Sequence, residues 1–271
     1  NHTLRKILSG VLLGALALGL LCACGPQSSA AETTSASSLP ELRIGADILE
    51  PFYFIDENGE PAGIDADIAA EACRRAGYTP VFVQIPWDEK DTYLADGTVD
   101  CLWNAFSEDG REDKYTWTVP YMESRLRIIV DKGARDQTTE DLSHSLGIAV
   151  RAGSKVEELL LGSDGPTIQV YSCGSFEMAK TAYIKGYASA LACHEAVLQQ
   201  IMDEAPGRCR FLDGTLLTAH LGVAFAKDSP AESWQALDAA LQEMKADGTI
   251  DAIVANYFVP SSDEEGVRAR A

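Results

Sequence analysis

Few residues in this chain combine a type and a setting that could do chemistry. Arg111 closes a loop that also carries Ser107. A guanidinium fork matches a carboxylate through two parallel hydrogen bonds, and a hydroxyl can donate one more. The plain alternative is a solvated arginine, because Glu108, Asp109, Glu112 and Asp113 surround it. Ser154 and Lys155 follow Gly153 at the opening of an expected helix. Free amides at a helix start attract anions, and Ser154 equally suits a plain N-cap. Lys155 either adds positive charge to a pocket or points to solvent. His194 and Glu195 end the apolar run Ala190–Cys193. Such a pair could serve acid–base chemistry, or Glu195 is simply a first-turn acid favoured by the helix dipole. The four histidines (His2, His144, His194, His220) are scattered with no second ligand at metal spacing. No metal, cofactor or catalytic motif is expected.

The elements that must position these residues alternate. Leu42 to Ala46 reads as a strand; Ile64, Ile68, Ala69, Ala72, Cys73 and Ala76 recur at helical spacing, and Gly77 stops that helix. Strand Pro80 to Ile85, helix Asp88 to Ala95 and strand Val99 to Trp103 follow. This order implies parallel strands with right-handed crossovers. Leu126 to Val130 is a strand with no helix before it. A second alternation runs from Leu146 to Val150 through helix Lys155 to Leu161, strand Thr167 to Tyr171, helix Phe176 to Ile184, strand Ala188 to Ala192 and helix Glu195 to Asp203 to strand Arg208 to Leu212. Leu221 to Ala226 is another lone strand, and helices Ala231 to Ala246 and Thr249 to Tyr257 close the chain. The reading is an α/β protein of two units, each with one sheet, joined at the two lone strands. Residues just beyond strand ends are then the candidates for a ligand site.

Composition narrows the function. The 271 residues are 46% hydrophobic and 23% charged, ordinary for a folded protein. With 41 acidic against 22 basic residues the formal charge is −19. That excludes nucleic-acid binding by phosphate neutralisation and disfavours anionic surfaces.

The amino terminus reads as an address. Arg5 and Lys6 precede an apolar run from Ile7 to Leu21, the pattern of an export signal. The run is too short for a comfortable membrane span, which needs about 20 residues. Leu21-Cys22-Ala23-Cys24 resembles a bacterial lipobox, with Cys24 as the residue that receives lipid; the alternative is an ordinary secretory signal with incidental cysteines. Residues 1–23 are thus expected as leader and 24–39, rich in Ser, Ala and Thr, as a flexible tether. Of the five remaining cysteines, most are expected as buried thiols, with Cys173–Cys209 the best disulfide candidate.

From Leu42 to about Phe258 the chain resembles the family 3 solute-binding proteins of amino-acid ABC transporters. The resemblance rests on Leu42-Arg43-Ile44-Gly45-Ala46-Asp47 with Pro51-Phe52, on Asn58-Gly59-Glu60 with Gly63-Ile64-Asp65-Ala66-Asp67, and on Gly97-Thr98-Val99-Asp100. It continues through Ser107 to Arg111, Pro120-Tyr121 and Lys245-Ala246-Asp247-Gly248-Thr249. It implies a two-lobe, type II periplasmic-binding-protein-like fold that closes on a ligand by a hinge. Lobe I would comprise residues 40–124 and 221–258, lobe II residues 125–220, and residues 259–271 a frayed tail.

The resemblance also implies roles. Arg111 would grip a ligand carboxylate, Ser107 would assist, and Ser154 would meet the same group from the other lobe; Lys155 departs from the family's hydroxyl there and either adds positive charge to the pocket or points to solvent. Trp87 would pack on the ligand side chain. Trp103 and Asn104 would face the cleft, with Trp103 equally suited to the core. Asp47 would reach a polar end of the ligand, and Phe52 or Tyr53 would stand in for an aromatic that the shortened loop lacks. His194 falls where the family carries an aspartate for the α-ammonium, and Glu195 is either a first-turn helix acid or the substitute partner. The implied function is capture of a small carboxylate-bearing solute, an amino acid or derivative, by a monomer lipid-anchored outside the cytoplasmic membrane, for delivery to an ABC permease. A dehydratase-like enzyme of the same fold and a ligand-sensing ectodomain are the alternatives.

Overall fold

Two sheets form where the alternation places them. The computed structural model describes residues 39–162, 167–260 and 267–269. The expected leader, nearly all of the tether and Cys24 lie outside the described residues. The first sheet runs Thr79–Gln84, Glu41–Ala46, Cys101–Leu102, Ala224–Ala226, Tyr115–Trp117. Its first three strands are parallel, and Ala224–Ala226 is antiparallel to both neighbours. The second runs Cys209–Phe211, Met122–Asp131, Ala190–His194, Ile148–Arg151, Val170–Cys173. There the last three are parallel, and Met122–Asp131 is antiparallel to its partners.

Helix Ile64–Ala76 shows why the prediction of local structure works. Ile64, Ile68, Ala69, Ala72 and Cys73 form its buried stripe, and Gly77 adopts φ 80° to end it. Gly63 precedes it at φ 115°, where an added Cβ would lie 2.4 Å from the Phe52 carbonyl oxygen. The stripe packs against helix Ala231–Ala246.

The expected lone strands are members of the sheets. Met122–Asp131 enters the second sheet, and its first half pairs with Leu217–Leu221. The chain thus passes between sheets beside one short antiparallel ribbon. Two further expectations need correction. Phe258–Pro260 pairs antiparallel with Val267–Ala269, and the latter lies against helix Glu195–Glu204, so these described residues of the expected tail are paired strands and not frayed. Cys173 and Cys209 are both free, as are Cys73, Cys101 and Cys193. Cys173 and Cys209 occupy opposite edges of one five-strand path. Four inter-strand steps of about 4.8 Å separate them by roughly 19 Å, far beyond disulfide reach.

One buried acid ties the first sheet to the loop beyond it. Asp65 is fully buried; its Oδ2 accepts from the Ala105 amide at 2.6 Å and its Oδ1 from the Tyr121 hydroxyl at 2.7 Å. Burial nevertheless raises its pKa to about 7, against the pull of these two donors. The folded chain therefore holds this proton more tightly than the unfolded chain, and stability falls as pH rises from about 4 to about 7. Asp65→Asn should flatten this part of the profile, worth up to about 4 kcal/mol. Denaturant titrations at pH 4.5, 6 and 7.5 check it; an unchanged slope in the variant would assign the dependence to other groups.

Candidate functional site

The loop that Asp65 holds and the strand ends of both sheets converge on one cavity. Ala105 sits there at φ 47°, a conformation that side chains with a Cβ rarely adopt. Among the expected residues, Trp87, Ser107, Arg111, Ser154, Lys155 and His194 line this cavity. It offers about 20 Å³ to water centres, room for a single water.

The other expected residues lie behind or away from it. Asp47 is buried beneath: its Oδ1 accepts from the Ile48 amide at 2.9 Å, and its Oδ2 has no hydrogen-bond partner. Asn104 is buried beside it and donates to the Asp47 carbonyl at 2.8 Å. Phe52 is sealed in the core, its ring edge-on to His194 at 5.2 Å. Trp103 packs against Tyr121 within the core and does not reach the cavity. Glu195 turns to the long strand of the second sheet, accepting from Arg125 at 2.5 Å and Arg127 at 3.1 Å.

His194 closes the second sheet's side. Its Nδ1 lies 2.9 Å from the Ser124 hydroxyl. Burial, joined by the nearby Arg151 charge, pushes its pKa down to about 3. The ring is neutral at physiological pH and carries no negative charge toward the cavity.

Three residues at the site escaped the sequence reading. Arg151 ends strand Ile148–Arg151, is 5% exposed, and lines the cavity. Its Nη1 donates to Asn104 Oδ1 at 2.7 Å, and its guanidinium lies 4.9 Å from the Trp87 ring centroid. Lys90 is buried and donates across the cleft to the Gly153 carbonyl at 3.1 Å. Burial pushes its pKa down to about 8. Gly153 has φ 72°, and an added Cβ would lie 2.9 Å from this ammonium, so glycine permits the contact. Glu158 is the third. The available signals were weak: a charged residue terminating an apolar strand, and a lysine and a glutamate in otherwise polar helical segments.

The model of the bacterial extracellular solute-binding proteins, family 3, matches residues 42–260. The histidine-binding periplasmic protein of Escherichia coli K12 is 26% identical over 237 residues, covering 83% of this chain and 91% of that protein. The glutamate-binding protein GluB of Corynebacterium glutamicum is 25% identical over 266 residues, covering 90% and 88%. Among solved structures, an ancestral arginine-binding protein bound to arginine superposes with a TM-score of 0.74 at 26% identity, covering 82% of this chain and all of that one.

Glu158 sets the electrostatics of the cavity mouth. Its Oε2 lies 2.8 Å from Arg111 Nη2 and its Oε1 2.6 Å from Lys155 Nζ. Burial works against its charge, but Lys155 and Arg111 prevail and hold the carboxyl below its usual range. A small carboxylate seeking Arg111 competes with this side chain. The pair is half-open to solvent on the Glu158 side, so the competition is worth at most about 1 kcal/mol. Glu158→Gln should tighten carboxylate binding by up to about fivefold, read by calorimetry. Weaker binding in the variant would make Glu158 a support of the site and not a competitor.

Proposed function

Because the chain belongs to the bacterial extracellular solute-binding proteins, family 3, whose fold serves amino-acid uptake by ABC transporters, we propose that it captures a small carboxylate-bearing solute, an amino acid or derivative, and passes it to an ABC permease. One observation carries this reading. Ser107 and Arg111 from the first sheet's loop, and Ser154 and Lys155 from the second sheet's side, surround one cavity. Donors and cations from both sides converge where a carboxylate would sit. The named relatives bind histidine and glutamate, which supports an amino-acid-sized ligand held without turnover.

The cavity is smaller than any amino acid, so admission requires the lobes, 40–124 with 221–258 and 125–220, to part. The ribbon of Met122–Leu126 and Leu217–Leu221 is the natural hinge, since both passes between sheets adjoin it. Bound solute then bridges the lobes and favours closure by its differential affinity for the closed form. The protein works as a monomer outside the cytoplasmic membrane, held there by lipid on Cys24.

Two experiments test this reading. Arg111→Ala should weaken binding of the cognate carboxylate by roughly 2–5 kcal/mol, the cost of leaving a desolvated anion without its partner, and Arg111→Lys should restore only part, since an ammonium lacks the fork. Equal affinity in wild type and Arg111→Ala, by calorimetry, would move the ligand elsewhere. Cys24→Ser should release the protein from the membrane fraction of expressing cells, because the acyl chains supply the attachment. A variant that stays membrane-bound and acylated would refute Cys24 as the anchor.

A further inference from the structure

The charged side chains lining the cavity are of one sign. Arg111, Arg151 and Lys155 face it, and no aspartate or glutamate is among the described residues that line it. The protein as a whole carries −19, so this concentration of cations runs against composition. Arg111 and Lys155 already share Glu158. Arg151 has no comparable partner. Of its five N–H donors, one is spent on the neutral Asn104. The nearest carboxylate, Asp47, is 3.8 Å away, and that Oδ2 accepts no hydrogen bond. Burial raises the Asp47 pKa, and the Arg151 charge pulls it back down. Arg151 is thus a buried, cavity-facing guanidinium held in place by Asn104 and the Trp87 face, with most of its donors unused.

We propose that Arg151 is a second anion subsite, so that the cleft selects a small dianion with one acidic group at Arg111 and the other at Arg151. The proposal rests on the cleft being the ligand site and adds the ligand's charge. Three features favour it over a plain structural role. The guanidinium is planar and its fork suits a carboxylate bidentately. It lies against Trp87, the place where a ligand side chain would pack, so a cationic side chain would meet a like charge there. The neutral His194 and the remote Glu195 offer no carboxylate to a ligand ammonium at the cavity wall. Both an acidic amino acid and an amino-free dicarboxylic acid carry the required pair of acidic groups.

Calorimetry on the full-length protein with L-glutamate, glutarate, L-arginine and glycine tests this. The expected wild-type result is that L-glutamate or glutarate, or both, bind at least about tenfold more tightly than L-arginine and glycine. Arg151→Gln should weaken the preferred dianion by about thirtyfold or more, as when one partner of a buried charge pair is removed, and should leave glycine within a few-fold. The double variant Asp47→Asn/Arg151→Gln, which leaves no buried carboxylate alone, repeats the comparison if Arg151→Gln melts early. L-Arginine binding as tightly as the dianions, or a dianion preference unchanged in both variants, overturns the subsite while leaving the cleft as the ligand site. Failure of every compound to bind wild type at millimolar concentration overturns the cleft reading and the subsite together. A preference for glutarate over L-glutamate, or the reverse, supports the subsite either way and reports whether an ammonium is tolerated beside His194.

Discussion

The cleft depends on how a single buried guanidinium is satisfied. Arg151 ends a strand of the second sheet, yet everything that steadies it lies just beyond the strand ends of the first sheet: Asn104 accepts its hydrogen bond, Trp87 offers its ring face, and Asp47 stands within Coulombic reach. An arginine sealed from water costs several kcal/mol unless such partners are present. Those partners surround it only while the two sheets' ends are in contact. Lys90, beyond the first sheet's strands, repeats the arrangement in reverse: its ammonium donates to the carbonyl of Gly153, just past a strand of the second sheet. Contact between the ends of the two sheets is therefore made through polar groups whose satisfaction requires the other side.

The partners of Arg151 are themselves set by Asp65. Asn104, Ala105, Phe106 and Ser107 are consecutive, and Ala105 holds a left-handed conformation costing roughly 1–2 kcal/mol for a residue with a Cβ. The hydrogen bond from its amide to the sealed Asp65 carboxylate offsets that cost. Asn104 can then turn one amide end to the Asp47 carbonyl and the other to Arg151. A buried acid in the first turn of one helix thus fixes the orientation of a carboxamide that receives a cation from the opposite sheet.

Much of the fold was legible in the sequence because it is encoded locally. Helix Ile64–Ala76 is bracketed by glycines, and Ser154 and Ser175 cap the helices at Lys155 and Phe176 with side chains that accept from Glu157 and Met178. Strand Tyr115–Trp117 and hairpin Phe54–Ile55 with Pro61–Ala62 were not legible, being two or three residues long and defined by distant or turn-dependent pairing. The site divides the same way. Ser107, Arg111, Ser154 and Lys155 sit in loops and helix starts that motifs mark. Arg151 could not be read so, because its meaning comes from Asn104, 47 residues earlier, and from a ring in another segment. Glu158 resembles an ordinary helical acid paired with Lys155 three residues before it, and only the tertiary approach of Arg111 gives it a further role.

The contrast between surface and cleft charge bears on how selectivity arises. At −19 the protein as a whole repels anions. At physiological ionic strength that repulsion is screened within about 8 Å, so it slows the approach of an anion without deciding whether it is held. Inside the cavity, which has room for a single water, interactions between charges strengthen as the local dielectric falls. There the nearest groups are Arg111, Arg151 and Lys155, and the one acid that touches two of them, Glu158, stands at the mouth and half in solvent. For the dianion proposed above, selectivity for charge is consequently a property of contact and not of steering. A neutral His194 contributes to it by omission: with no carboxylate at that strand end, the local field in the cavity stays positive, opposite in sign to the field of the whole molecule.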